Sequence, residues 1–162
     1  MRVRYEVILW YTAFLKLIPG QIGCKLRNLL LPYHNAKHVY VWDGVHIDSP
    51  SKLKIGNNVS INRGTIINAA GEVTIGNDVL IGPNVTIYSQ NHNYNKANHL
   101  IRDQGYNIKP VIIGNNVWIA ANATILPGVT IAENIVIGAN SLVSKSLNKP
   151  GVYVGSPVVF IK

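Results

Sequence analysis

Between residues 113 and 143 a large aliphatic residue returns every six positions, at Ile113, Ile119, Ile125, Ile131, Ile137 and Val143. The next position is usually small, as at Gly114, Ala120, Ala132 and Gly138. A small or β-branched residue also falls four places after each aliphatic one, at Val117, Ala123, Val129, Ile135 and Ser141. A period of six fits neither the 3.6 of an α-helix nor the alternation of an isolated strand. It fits a chain that makes a short extended side, turns a corner and repeats. Three sides close a triangular coil of 18 residues, and the coils stack with their aliphatic side chains in inward columns. The repeat predicts an all-β solenoid.

The same phase runs upstream through Ile55, Ile61 and Ile67, shifts by two residues at Ala69-Ala70-Gly71, and resumes at Ile75, Ile81 and Ile87. The strings IGNNV, IGNDV and IGNNV mark 55–59, 75–79 and 113–117. Asn and Gly suit tight corners that need left-handed backbone, and stacked corners set asparagines in ladders. Between Ile87 and Val111 the repeat fails. Ile75 to Ile113 spans 38 residues, one 18-residue coil and 20 more. The stretch that holds them, SQNHNYNKANHLIRDQGYNIKP, is too polar for a core. A long loop ejected from a regular scaffold is usually functional. After Val143 the repeat decays: Pro150-Gly151 makes a turn, VYV is a last short strand, and the tail closes the far end.

Composition adds limits. With 162 residues, 48% apolar and 14% charged, the chain is one globular domain with a sizeable core. The single cysteine, Cys24, excludes an internal disulfide, fits a reducing compartment and leaves no Cys/His cluster for zinc. No metal is expected. The net charge is +8, and five of those excess charges fall in residues 1–38, where Arg2, Arg4, Lys16, Lys25, Arg27 and Lys37 face Glu6 alone. Anionic partners follow, but not nucleic acid, because no helix-turn-helix, RNP or finger pattern is present.

Residues 1–38 read as an N-terminal helical segment and 39–162 as the solenoid, with the loop at about 89–110. Tyr5–Ile18 is apolar and helix-compatible up to Pro19-Gly20, shorter than the roughly 20 residues that span a bilayer. It lacks a good signal-peptide cleavage site. A second apolar, basic stretch is Ile22–Leu31. Two roles stay open and compatible: covering the solenoid's end, or peripheral membrane contact through residues 1–33. The expected location is cytoplasmic, free or on the inner face of the membrane.

The hexads, Asn91-His92 at the mouth of the polar loop, Lys109-Pro110-Val111, Gly114–Ile119, Ile125–Thr130 and the terminal Gly155-Ser156-Pro157 together resemble the hexapeptide-repeat O-acetyltransferases. Among them the chain is most similar to the maltose/galactoside acetyltransferases and the capsule or colanic-acid type polysaccharide acetyltransferases. The resemblance covers roughly residues 45–160. It implies a left-handed parallel β-helix; spacing does not set that hand, and the general crossover rule points the other way. It also implies a homotrimer with acetyl-CoA, as co-substrate, bound between neighbouring prisms.

Acyl transfer to a hydroxyl needs a base for the proton and polar support for the oxyanion. Histidine is the usual base, since its ordinary titration lies near neutral pH. His92 sits where the solenoid ends and the loop begins, and it matches the family's catalytic histidine. Asn91 either orients His92 or an acceptor, or shapes the turn. Asn62 lies near the family's oxyanion or acceptor asparagine, with the alignment falling between Asn62 and Gly64. Arg102 matches a basic loop residue that meets an anionic sugar, fixes the loop or is simply solvated. Tyr94 and Tyr106 stack on a sugar or anchor the loop. For the donor, the resemblance implies Trp118, Ala120 and Ala121 beside the pantetheine arm and Ser144-Lys145 near the nucleotide. Here the chain departs from the pattern: Ser146 stands where an acidic residue is usual, and Val158-Val159 replace Ala-Lys, leaving Lys162 as the substitute charge.

The leading expectation is therefore acetyl transfer from acetyl-CoA to a sugar hydroxyl in surface-polysaccharide biosynthesis. An N-acetyltransferase acting on an amino or nucleotide sugar would need the same base. A γ-type carbonic anhydrase would need three histidine ligands. His92 and His99 offer two, while His34, His38 and His46 precede the matching coils. A non-catalytic prism would have flat Thr-rich faces and no ejected loop.

Overall fold

The computed structural model describes residues 2–30 and 36–162. The first coil comprises β1 (Tyr40–Val41), β2 (His46–Asp48) and β3 (Leu53–Ile55), and the second β4 (Ser60–Ile61), β5 (Ile66–Asn68) and β6 (Val73–Ile75). The third runs through β7 (Leu80–Ile81) and β8 (Thr86–Tyr88), breaks for β9 (Gln90–His92) and β10 (Tyr106–Ile108), and finishes with β11 (Val111–Ile113). The fourth is β12 (Trp118–Ile119), β13 (Thr124–Ile125) and β14 (Thr130–Ile131). The fifth keeps β15 (Ile135–Ile137) and β16 (Leu142–Val143), and β17 (Gly151–Val154) and β18 (Val159–Phe160) close the end.

Stacking makes three faces. Face A is β1-β4-β7-β12-β15-β17-β18, face B is β2-β5-β8-β13-β16, and face C is β3-β6-β11-β14. All pairings along the faces are parallel except β17 with β18. The register explains the period. Ile61, Ile81, Ile119 and Ile137 pair in one column, Ile67, Ile87, Ile125 and Val143 in a second, and Ile55, Ile75, Ile113 and Ile131 in a third. Each is buried, and a buried side chain of this kind contributes up to about 1.5–3 kcal/mol. On two-residue sides, strand alternation turns one residue inward and its neighbour outward, as with Ile119 and the exposed Trp118.

Corners need a residue in left-handed backbone. Between faces C and A this is Asn58, Asp78, Asn116 and Asn134, with φ of 52–62°. Between A and B it is Gly44, Gly64, Asn84, Asn122 and Asn140, with φ of 55–74°. The asparagine ladder also forms. The Asn57 N–H donates to Asn77 Oδ1 and the Asn77 N–H to Asn115 Oδ1, each at 2.9 Å.

The irregularities collect at one corner. From face A to B, and from C to A, successive inward residues are six apart in the coils from Ile55 to Ile125. From B to C the spacing is eight at Ile47–Ile55 and Ile67–Ile75, 26 at Ile87–Ile113, and six at Ile125–Ile131. The two-residue shift at 69–71 is thus real, but its left-handed residue is Glu72, with φ 73°. The hexad reading, starting at Ile55, misses an equal shift one coil earlier, where Ser49 (φ 56°) leads into a 3-10 turn at Pro50–Lys52.

Two helices, α1 (Arg2–Leu17) and α2 (Gly20–Leu30), precede the solenoid. The first begins earlier than Tyr5. Leu31, at the end of the expected second stretch, and residues 32 and 33 of the expected membrane contact lie outside the described residues, as does His34. First-coil amides point to the second coil, with Tyr40 N–H to Val59 O and Trp42 N–H to Ile61 O. Carbonyls of β1 therefore face the open end. Arg27 Nε donates to Val41 O at 2.7 Å, Asn28 Nδ2 donates to Val39 O, and the Gly44 N–H reaches Lys16 O at 2.8 Å. Arg27 is fully buried; its Nη1 also donates to Leu15 O at 2.7 Å and Ile18 O at 2.9 Å. Those carbonyls end α1, where the helix dipole favours a cation. At the far end Tyr153 packs edge-on against Phe160 at 5.3 Å and donates its hydroxyl to Lys149 O.

Candidate active site

The ejected segment is a hairpin rather than an irregular loop. β9 and β10 pair antiparallel, with Tyr106 opposite His92, Asn107 opposite Asn91 and Ile108 opposite Gln90. Its base is bolted to the second coil by Ser89. The buried Ser89 Oγ donates to Asn68 O at 2.6 Å and accepts the Gly71 N–H at 2.7 Å. Gly71 leaves no room for a side chain, because a Cβ there would lie 2.3 Å from Ser89 O and 2.7 Å from Ile108 Cγ2. Lys109 returns the chain by donating its N–H to Ser89 O at 2.9 Å.

Gln104 organises the tip. Its Oε1 accepts the Lys96 N–H at 3.0 Å, and its Nε2 donates to Lys96 O and His99 O at 3.1 and 3.0 Å. Asn93 Nδ2 donates to Gln104 O at 3.1 Å, and the Asn93 N–H to Gly105 O at 3.0 Å. His92 is exposed on the strand just before this knot, its ring 4.5 Å from that of Tyr106 and tilted by 39°. The imidazole is open to solvent, on a strand paired to β10 and followed by the bonded tip. Asn91 is exposed beside it, Arg102 is exposed in a 3-10 turn at Ile101–Asp103, and Tyr94 is exposed at the tip.

The candidates divide between two corners of the prism. Asn91, His92 and Arg102 belong to the corner between faces B and C, and so does Lys145, which follows β16. Asn62, Ala120 and Ala121 belong to the corner between faces A and B, and Trp118 stands half exposed on the outside of face A. Lys162 runs past the end of face A, where its carbonyl accepts the Val152 N–H at 2.7 Å. One chain therefore does not unite His92 with Trp118, nor Lys145 with Lys162. Asn62 spends an amide hydrogen on Ile81 O at 3.3 Å, a corner bond within the solenoid. Gly82 packs where a Cβ would come 2.8 Å from Ala121 N, so this corner is bare backbone flanked by small residues. A groove of about 320 Å³ lined by His38, Tyr40, Asn58, Val59, Ser60, Asp78 and Leu80 lies elsewhere, and no candidate residue lines it.

Beside Asn62 is a cluster that the sequence did not announce. Arg63 Nε is 2.9 Å from Asp43 Oδ2, its guanidinium lies 5.1 Å from the Trp42 ring centre, and Trp42 Nε1 donates to Ser60 Oγ at 3.3 Å. The Arg63 hydrogen bond holds the Asp43 carboxyl below its ordinary value against a weaker upward push from burial. Ser89 and Gln104 were equally silent. The available signal for Ser89 was its place at the last regular position before the break. Among the described residues no three His, Cys, Asp or Glu side chains converge as a metal site.

Comparison with known proteins now adds to this geometry. Residues 110–145 match the family model described as bacterial transferase hexapeptide (six repeats). The galactoside O-acetyltransferase of Escherichia coli strain K12 is 39% identical over 128 residues, 78% of this chain and 61% of that protein. A solved galactoside acetyltransferase in complex with coenzyme A superposes with a TM-score of 0.78 at 33% identity, covering 93% of this chain and 76% of that one. The chain belongs to the hexapeptide-repeat transferase family. Another relative, named for colanic acid biosynthesis acetyl transfer in E. coli strain K12, is 29% identical over 153 residues, 94% of this chain and 74% of the relative. The solenoid is accordingly the left-handed parallel β-helix of this family. The chain spans about three fifths of the galactoside O-acetyltransferase, 61% of its length.

Proposed function

We propose that this chain is an acetyl-CoA-dependent O-acetyltransferase acting on a sugar hydroxyl of a surface glycan, with His92 as general base. The observation that carries the reading is the placement of His92, exposed on a hairpin strand that Ser89 and Gln104 fix at the single variable corner. The names of the galactoside and colanic acid relatives, and the coenzyme A complex of the solved neighbour, support donor and acceptor class.

In this reading His92 takes the proton of the acceptor hydroxyl as its oxygen attacks the thioester carbonyl carbon. The C–O bond forms, negative charge gathers on the carbonyl oxygen, and the C–S bond then breaks. The imidazolium returns its proton to the departing thiolate, and no covalent enzyme intermediate is needed. Amide donors of the kind Asn62 and Asn91 carry would meet the oxyanion. The bare backbone at Ala120 and Ala121 suits a narrow pantetheine arm against the Trp118 ring, and Lys145 and Lys162 supply positive charge for phosphates.

These groups sit on different corners, and the homotrimer that the family resemblance implies would bring the A/B corner of one copy against the B/C corner of the next. Leu80 and Trp118 on face A, Ile66 and Tyr88 on face B, and Ile112 on face C leave large apolar side chains outward, as surfaces that pack together do. The expected setting is the cytoplasm, where acetyl-CoA is made. The test is an acceptor screen with labelled acetyl-CoA over sugars, glycosides, amino sugars and nucleotide sugars, each product treated with mild base. A base-labile ester on a sugar is expected; a base-stable amide on an amino sugar would move the assignment to N-acetyl transfer, and no transfer to any acceptor would sink it.

A further inference from the structure

We propose that the outer face of α1 and α2 docks the protein peripherally on an anionic lipid bilayer. On α1 the exposed residues Val7, Trp10, Tyr11, Phe14 and Leu17 fall at i, i+3, i+4, i+7 and i+10, one face of the helix. Trp10 is 76% exposed and Phe14 68%, whereas Leu15, on the other side, is buried. On α2 the exposed Ile22, Leu29 and Leu30 continue the apolar surface, while Gly23, Cys24 and Arg27 are buried. The inner sides are occupied by the bonds to Val39, Val41 and Gly44 that cover the first coil. Scattered exposed apolar residues need no explanation, but here eight large ones gather on two helices that pack together.

Charge selects the occupant. Lys25 is exposed between Ile22 and Leu29 on α2, and Arg2 and Arg4 stand in the first turn of α1. Each basic residue near an anionic leaflet raises partitioning roughly fivefold. The same charges would repel across an interface between two copies of this face. No helix among the described residues is long and apolar enough to cross a membrane, so the mode is interfacial, with Trp and Tyr at headgroup level. The prism would stand on this face with its capped end down.

The test uses the full chain, floated with vesicles of phosphatidylcholine alone and of phosphatidylcholine mixed equally with phosphatidylglycerol. Binding should be strong only to the anionic vesicles and weaken as salt is raised. The double variant Trp10→Ser/Phe14→Ser should lower partitioning by about tenfold or more while leaving circular dichroism and melting unchanged, since both side chains are exposed. Lys25→Glu should weaken binding to anionic vesicles alone. Failure to float with either vesicle, or flotation indifferent to the double variant, overturns the proposal. So does a larger lipid-free mass for wild type than for the double variant, which would make the face a contact between copies.

Discussion

At the scale of single residues, burial and charge give the sharpest expectations. Asp43 carries a folded-state pKa below its unfolded value because Arg63 donates to it. Its contribution is therefore fully present above the ordinary carboxylate value of 3.8 and is lost as pH falls through the lower folded value. Asp43→Asn should cost up to about 1 kcal/mol at neutral pH, the ceiling for a half-exposed pair. Urea titrations repeated at descending pH should show the gap from wild type closing below that carboxylate range. Arg27 is a different case, a fully buried cation held by three carbonyls, those of Val41, Leu15 and Ile18. Arg27→Met removes all three bonds at once, leaving Leu15 O only the Ile18 N–H at 3.4 Å, and should cost about 2–4 kcal/mol. Hydrogen exchange should locate that loss in α1, α2 and the first coil, with the later coils still protected.

At the scale of elements, the hairpin depends on fits that tolerate no added atom. Gly71→Ala would place a methyl 2.3 Å from the carbonyl of Ser89 and push the hairpin base outward. A displacement near 1 Å in a catalytic group costs on the order of 10²-fold. Acetyl transfer should fall by about that much, with circular dichroism of the solenoid retained. Gln104→Ala, which removes three hydrogen bonds inside the tip, should loosen residues 93–104 to proteolysis before it lowers melting. The contrast between these elements also explains what could be read in advance. Inward columns repeat because every coil buries the same kind of side chain, so Ile119 or Ile125 declares its place. The strands Gln90–His92 and Tyr106–Ile108 bury nothing fully and are held by backbone pairing and by Gln104, which leaves no periodic mark. The first coil was hidden for a similar reason: two extra residues at Ser49–Lys52 displace its phase. The place of His92 at the base of the excursion was legible because it stands where a strong period stops. The Asp43–Arg63–Trp42 cluster was not, because Arg63 lies 20 residues from Asp43 and meets the adjacent Trp42-Asp43 pair only through coil stacking.

At the scale of the whole molecule, the prism separates groups that the proposed chemistry would bring together. Faces A and B meet at one corner with Ala120 and Ala121, and the hairpin with His92 leaves another. If neighbouring copies complete each site, two inactive variants can complement one another. Co-assembly of His92→Ala chains with Trp118→Ala chains should regain part of the lost transfer, since some neighbours then pair an intact hairpin with an intact face A. Recovery no greater than the sum of the two separate variants would put both groups on one chain. The central claim, that His92 is the base of an acetyl transfer, is tested most directly by measuring labelled acetyl delivered to the acceptor by wild-type and His92→Ala protein of equal assembly mass and melting behaviour. The account predicts a loss of at least about 10²-fold in kcat for the variant. Transfer surviving within about tenfold would contradict it, because removal of a general base does not leave that much rate.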